Sequence, residues 1–305
     1  MDFSRIRSSI DTDRLEKSTV VIIGVGGARD LACDLTRSGV AKIKLFDPQY
    51  VELVNVPRQG HTQADVGLSK VAAAEAELRR INPAIDVVGE AVDFTGFSDA
   101  EIDERFGDVD LAIFATDRFA AQARGNEVAL RLGIPAIWIG LYAGGTGGEI
   151  IFWHRDIDAC FRCLCPSRYV AHERALAEKE SIDPPSDGAT IFDVHLIDAI
   201  AGQIAVGLLT RGSDTRLGRL INELGDRNFI QVKLAPGFVV NGRDIVREQL
   251  GVSADCDTFL SWNTIVRRDP DRGSIYCPDC DRFRGPFCMY SGTSELRWLP
   301  TACMH

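Results

Sequence analysis

The chain has 305 residues, an ordinary hydrophobic share of 45% and a formal net charge of −10. An acidic chain lacks the clustered cations that a polyphosphate backbone demands, so unaided nucleic-acid binding is not expected, and anionic membranes are disfavoured for the same reason. No apolar run approaches the ~18 residues of a membrane span, and Met1 to Lys17 is too polar and charged for a secretory leader.

Ser18 to Gly24 is a β-branched run closed by glycine, the pattern of a buried parallel strand. A helix is expected over Asp30 to Ser38, stopped by Gly39, then a strand over Ala41 to Phe46 that ends at Asp47. Leu68 to Ile81 is an alanine-rich helix ended by Asn82-Pro83, followed by a short strand over Ile85 to Val88. Asp110 to Ala115 predicts a buried strand, Phe119 to Leu132 a helix, and Pro135 to Ile139 another strand. This alternation predicts an α/β fold, a Rossmann-like, doubly wound and mostly parallel sheet with helices on both faces.

The texture changes after Gly140. Tyr142 to Gly148 is glycine-rich and Glu149 to Trp153 is a strand candidate. A helical patch is expected over Ala171 to Glu180, then a loop from Asp183 to Gly188, then a long helix over Asp193 to Thr210. That helix has two open readings, a core helix or a dimer-facing one whose Gly202 and Gly207 allow close approach. From Asn228 short strands dominate, among them Phe229 to Leu234 and Thr264 to Arg267, so the sheet gains a C-terminal antiparallel extension.

Gly24-Val25-Gly26-Gly27-Ala28-Arg29 sits between a strand and a helix, where backbone N–H groups and the helix dipole favour a phosphate. Asp47 lies about 20 residues beyond Gly24, the offset of a carboxylate that holds a ribose hydroxyl. This much fits a nicotinamide-dependent oxidoreductase as well as an ATP enzyme. The next block separates them. Asn55, Arg58, Gln59 and Lys70 crowd the segment after the ribose strand; hydride transfer has no use for them, whereas a triphosphate needs cations. Asp117 follows a strand at its carboxyl edge and suits Mg²⁺, a hard cation that seeks oxygen.

On these residues the chain resembles the ThiF/MoeB-type adenylyltransferases, which share their fold with ubiquitin-activating enzymes. The resemblance covers residues 18–165 and the tail around Cys277 and Cys280. It implies a homodimer that binds ATP and Mg²⁺ and adenylates the C-terminal glycine carboxylate of a small ubiquitin-like or sulfur-carrier protein with a Gly-Gly tail. Asp47 would hold the ribose, Asn55, Arg58, Gln59 and Lys70 the phosphates, and Asp117 the magnesium. Asn126 stands at another family asparagine, and Arg5, with Arg7 as rival, matches an arginine that reaches the partner subunit's nucleotide. The chain departs from the pattern at Arg29, Gln49 and Arg118; the two arginines have two open readings, added positive charge near the triphosphate or an altered substrate choice. Alternative readings are adenylation of a peptide or a modified tRNA base, a nicotinamide-dependent oxidoreductase, and a catalytically silent nucleotide-binding scaffold.

Nine cysteines, an odd number without a secretory leader, point to a reducing cytoplasm and free thiols rather than a disulfide scaffold. Cys160-Phe161-Arg162-Cys163 and Cys277-Pro278-Asp279-Cys280 form a Cys₄ set suited to structural Zn²⁺, with Cys165 as a reserve ligand. A redox role is the alternative for either pair. The metal would pin a part spanning 166–305 (crossover loop, helix and C-terminal strands) onto a nucleotide-binding part spanning 1–165, within one continuous domain. Pro166 to Ile191 holds no cysteine. Members of the resembling family that go on to a thioester or persulfide usually carry a cysteine in this loop, so the resemblance does not imply a covalent carrier intermediate here. Cys256, then Cys288, is the substitute for that role, against a reading as unremarkable thiols, which Cys303 shares; Cys33 is read as packing.

Overall fold

A computed structural model describes residues 1–180, 183, 187–233, 243–244, 260–263 and 277–284. The expected strand at Thr264 to Arg267 and the cysteines at 256, 288 and 303 lie outside these residues. Among the described residues the sheet has eight strands: β1 (Thr19–Ile23), β2 (Lys42–Phe46), β3 (Asp86–Glu90), β4 (Leu111–Phe114), β5 (Ala136–Leu141), β6 (Gly147–Trp153), β7 (Phe229–Lys233) and β8 (Leu260–Asn263). Their order is β3-β2-β1-β4-β5-β6-β7-β8. The first five run parallel, and β6, β7 and β8 continue the sheet antiparallel.

The helices in chain order are α1 (Thr12–Leu15), α2 (Arg29–Ser38), α3 (Lys70–Ile81), α4 (Asp99–Phe106), α5 (Phe119–Leu132), α6 (Phe161–Leu164), α7 (Pro166–Glu178), α8 (Ile191–Leu209), α9 (Arg216–Leu224) and α10 (Pro278–Arg284). β1 is buried at every position, as a central parallel strand with helices on both faces must be. Its β-branched residues fit that two-sided burial. Glycines in the left-handed region end α2 at Gly39 (φ 104°) and α5 at Gly133 (φ 66°). Ser69 caps α3 by accepting from the Ala72 N–H at 3.3 Å.

Five helices have no counterpart in the expectations from sequence: the short α1, α6 and α10, and the longer α4 and α9. α4 opens on a capping box in which Ser98 and Glu101 satisfy each other's backbone N–H. α9 opens on Thr215, whose side chain accepts from Gly218 N–H. Another helix, α7, begins five residues earlier than expected because Pro166, lacking an N–H, sits comfortably in a first turn.

α8 reaches the length and composition of a membrane span, with a mean hydropathy of 1.5 over a window that is 56% buried. The sequence reading had found no such run. The fold uses it as a core helix: Val194, Ile197, Ala201 and Ile204 are buried, and Gly202 and Gly207 press on Leu31 of α2 and Ile221 of α9. Its first turns do leave Phe192 and Leu196 exposed.

The chain leaves β1 toward β2 and β3 on one side and resumes with β4 and β5 on the other. Ligands in such sheets bind where that reversal opens a crevice at the strands' carboxyl ends. Gly24 makes the crevice possible, because it ends β1 at φ +87° and a Cβ there would lie 2.4 Å from the Ala115 carbonyl oxygen. Gly67 has a similar φ of +90° but open space around it. Gly24→Ala is therefore expected to cost at least ~3 kcal/mol and Gly67→Ala about 1 kcal/mol, since only the first adds a backbone clash to the strain. Chemical-denaturant midpoints of the two variants check this, and equal losses would refute it.

Candidate functional site

The carboxyl ends of the parallel strands open into a groove of about 800 Å³. Gly24, Gly26, Gly27, Asp47, Asn55, Arg58, Gln59, Lys70 and Asp117 all line it. Residues spread over the first half of the sequence thus converge on one cavity. Arg5 does not line it; it is exposed among the N-terminal turns. A second hollow, about 660 Å³, lies at the opposite edge between Ser18, Asp110 and Pro135, and none of the expected site residues reaches it.

Asp47 shapes the glycine turn. It is 5% exposed; its Oδ2 accepts from Val25 N–H and its Oδ1 from Gln49 N–H, each at 2.8 Å. A carboxylate has further lone pairs, so this tether leaves capacity for a hydroxyl. Gly26 lies against Gln59, whose Nε2 would be 2.9 Å from a Cβ at that position, so a side chain there would push the Gln59 amide aside. The Gln59 Oε1 is buried and unpaired among the described residues.

Lys70 opens α3 and is only 4% exposed. Its Nζ donates to Gln49 Oε1 at 2.7 Å, and among the described residues it forms no ion pair. A buried ammonium held by a neutral amide is costly without an anion nearby. Gln49, where the resembling family often has aspartate, thus leaves the lysine's charge uncompensated on the groove wall. His61 is buried beside it; burial, then Arg29 and Lys70, lower its pKa to about 4, so it is neutral near pH 7.

For Arg29 and Arg118 the reading that adds charge near the phosphates does not hold. Arg29 does not line the groove. It is 6% exposed, donates to the Gly60 carbonyl and lies 3.9 Å from both Asp65 and Glu77. Partly buried acids and a carbonyl outcompete the groove for its guanidinium. Arg118 likewise pairs with Asp93 and does not line the groove.

The sequence reading missed the far wall. Glu149, on β6, is buried, and both its carboxylate oxygens accept from Arg168 of α7, one of them at 2.7 Å. Tyr142 OH donates to Glu149 Oε2 at 2.5 Å. Burial works to lower the arginine's pKa, and the adjacent Glu149 more than offsets that, so the net shift is upward. The signal was present: Glu149 is the lone acid in an otherwise apolar strand. Asp198 of α8 also lines the groove; burial, then Asp30 and Asp34, raise its pKa well above the usual range.

The four thiols of Cys160, Cys163, Cys277 and Cys280 lie within 4.8 Å of one another. Sulfurs ~2.3 Å from a tetrahedral zinc are about 3.8 Å apart. The separations here are 3.6 Å (Cys160–Cys163), 3.7 Å (Cys160–Cys277), 3.8 Å (Cys163–Cys280) and 3.5 Å (Cys160–Cys280). The set fits zinc, and it draws α10 onto α5 and α6. Cys165, the reserve ligand, stands outside the set.

Asn126 belongs to this centre and not to the groove. It donates to Asp279 Oδ2 at 2.7 Å and accepts from Phe161 N–H at 3.1 Å, while Arg162 holds Asp279 Oδ1 at 2.8 Å. These contacts orient the two knuckles from outside, as such sites require. Among the described residues no cysteine lines the groove. Cys33 packs inside α2, where burial pushes its thiol up to about 11.

The ThiF family model matches residues 1–246. Ubiquitin-like modifier-activating enzyme 5 of Drosophila sechellia is 33% identical over 179 residues, which cover 54% of this chain and 44% of that protein. Its counterpart in Gallus gallus is 34% identical over 168 residues, covering 51% and 42%. The chain spans less than half the length of these curated relatives. Among solved structures, E. coli MccB with ATP superposes with a TM-score of 0.57 at 19% identity, over 73% of this chain and 62% of that one. PaaA does so with a TM-score of 0.57 at 22% identity, over 73% and 71%. At such identities the likeness shows the fold.

Proposed function

The chain belongs to the ThiF family, and on that premise we propose that it is an adenylyltransferase that activates the C-terminal glycine carboxylate of a small ubiquitin-like or sulfur-carrier protein. The observation that carries the reading is Lys70: a buried ammonium, without an ion pair among the described residues, on the wall of a groove whose floor is a glycine turn. A triphosphate supplies the anion that this lysine calls for. A nicotinamide cofactor would leave Lys70 and Arg58 without a task at the reacting end.

In the proposed reaction a carboxylate oxygen of the acceptor attacks the α-phosphorus of ATP. The bond from that phosphorus to the bridging oxygen breaks, and pyrophosphate leaves with the electron pair. No side-chain nucleophile is needed; positioning and charge stabilisation suffice. Asp47 would hold the ribose, the turn at Gly24, Gly26 and Gly27 the phosphates, and Asn55, Arg58, Gln59 and Lys70 the developing charge. Asp117 would hold Mg²⁺, which when bound neutralises phosphate oxygens. Arg5 would complete the site of a partner subunit in a homodimer. Cys160, Cys163, Cys277 and Cys280 would hold zinc as a structural centre.

Calorimetry with ATP against NAD, followed by pyrophosphate exchange with a panel of small proteins ending in Gly-Gly, tests this. Tight NAD binding without ATP binding would refute it. A short peptide and a modified tRNA belong in the panel; exchange with one of them and none of the proteins would move the proposal to that acceptor.

A further inference from the structure

The order of strands along the groove is β2, β1, β4, β5, β6. Neighbouring strands lie ~4.8 Å apart, so Asp47 after β2 and Glu149 on β6 are separated by roughly 19 Å. Three cations line the groove among the described residues, and the topology sorts them. Arg58 and Lys70 follow β2 and stand at the end where the nucleotide is placed. Arg168 stands alone at the β5–β6 end, beside Tyr142 and across from Gly140, which pairs in register with Glu149.

Arg168 is built in. Glu149 holds it through two nitrogens and is in turn held by Tyr142, and Glu149 is 4% exposed. The arginine side chain nevertheless keeps 34% of its surface accessible. Its guanidinium has N–H donors beyond those that Glu149 uses. A planar cation fixed in place and opened to a groove is suited to binding a carboxylate.

We propose that Arg168, positioned by Glu149 and Tyr142, is the specificity-determining residue for the acceptor and captures the free terminal carboxylate of an extended peptide tail entering over β5 and β6, before that carboxylate advances to the α-phosphate. The inference rests on the adenylation reading and adds the group that recognises the acceptor. A carboxylate approaching a triphosphate is repelled by it, and a fixed cation on the acceptor's side offsets that repulsion without touching the nucleotide's own contacts.

The test uses the full chain with Mg²⁺ and a non-hydrolysable ATP analogue. The probe is a fluorescein-labelled hexapeptide ending in Gly-Gly, as the free acid and as the C-terminal amide, read by anisotropy. The wild type is expected to bind the acid about tenfold more tightly than the amide, the scale of one charge-assisted hydrogen-bonded pair. In Arg168→Gln the ratio falls to about one, and affinity for the ATP analogue stays within about twofold. Because that variant leaves Glu149 buried without its partner, the double variant Arg168→Gln/Glu149→Gln is measured beside it, with Arg174→Gln on the same helix as a control that keeps the wild-type ratio. A wild-type ratio near one, no binding of the acid, or an unchanged ratio in the folded double variant overturns the proposal. Failure of the wild type to bind the ATP analogue at all sinks the adenylation reading itself, so the two failures are told apart.

Discussion

Arg58→Ala and Asp117→Ala are each expected to lower carboxylate-dependent pyrophosphate exchange by about 10²–10³-fold, the usual effect of removing one charge-stabilising group from a transition state. Both side chains line the groove and neither is buried, so the fold should survive their loss with an unchanged thermal midpoint. The two variants should fail differently. Arg58→Ala lowers exchange at every Mg²⁺ concentration. Asp117→Asn, which keeps the shape and loses the charge, should regain part of its activity as Mg²⁺ is raised. Arg58→Lys should recover only part of the loss, because an ammonium cannot make two parallel bonds to a phosphate. Radiolabelled pyrophosphate exchange at saturating ATP reads all of these. Exchange within threefold of wild type in a folded Arg58→Ala would remove the phosphate assignment.

Lys70 shows why so much of the groove was legible in the sequence. A parallel sheet brings its binding residues to the strand ends, and those ends are marked by where apolar runs stop. Gly24, Asp47 and Asp117 each stand just past such a run. Asn55, Arg58, Gln59 and Lys70 lie in the single connection from β2 to α3, so local order alone kept them together. The cysteine knuckles were equally visible, because a metal site is written in residue identity and spacing.

What escaped the sequence was set by tertiary contact. Arg29 lies one residue past the glycine turn, and nothing in its neighbours reveals that Asp65, Glu77 and the Gly60 carbonyl fold over it. Asn126 sits on α5 among small residues, and its partner Asp279 arrives only when the tail is drawn in. Glu149 and Arg168 are joined across the turn from β6 to α7, which brings the two ends of the first knuckle segment together. Of the longer helices that escaped, α4 had weak periodicity, burying only Ile102 and Phe106 with its capping box as the one clear mark, whereas α9 carried a clear apolar face at Leu217, Ile221 and Leu224 that could have revealed it.

Removing the metal is expected to give the largest loss of stability. The purified chain should carry one zinc ion, measured by elemental mass spectrometry, and Cys280→Ser or a strong chelator should lower the thermal midpoint by roughly 10 °C. That shift corresponds to several kcal/mol at ~2–4 °C per kcal/mol for a domain of this size. The cause is connectivity. Cys277 and Cys280 are held to α5 and α6 through the metal, Asn126 and Arg162, so losing one thiolate releases α10 and exposes the buried Cys160 and Phe161. None of the four cysteines lines the groove, so nucleotide affinity at 20 °C should stay within about threefold while stability falls. Such a split between stability and binding is what a closed Cys₄ structural centre produces. A redox pair would behave otherwise: oxidation would form Cys160–Cys163 or Cys277–Cys280 bridges in the zinc-free chain, and metal content would be near zero in the active protein. Absence of bound zinc together with an unmoved midpoint in Cys280→Ser would overturn the structural assignment.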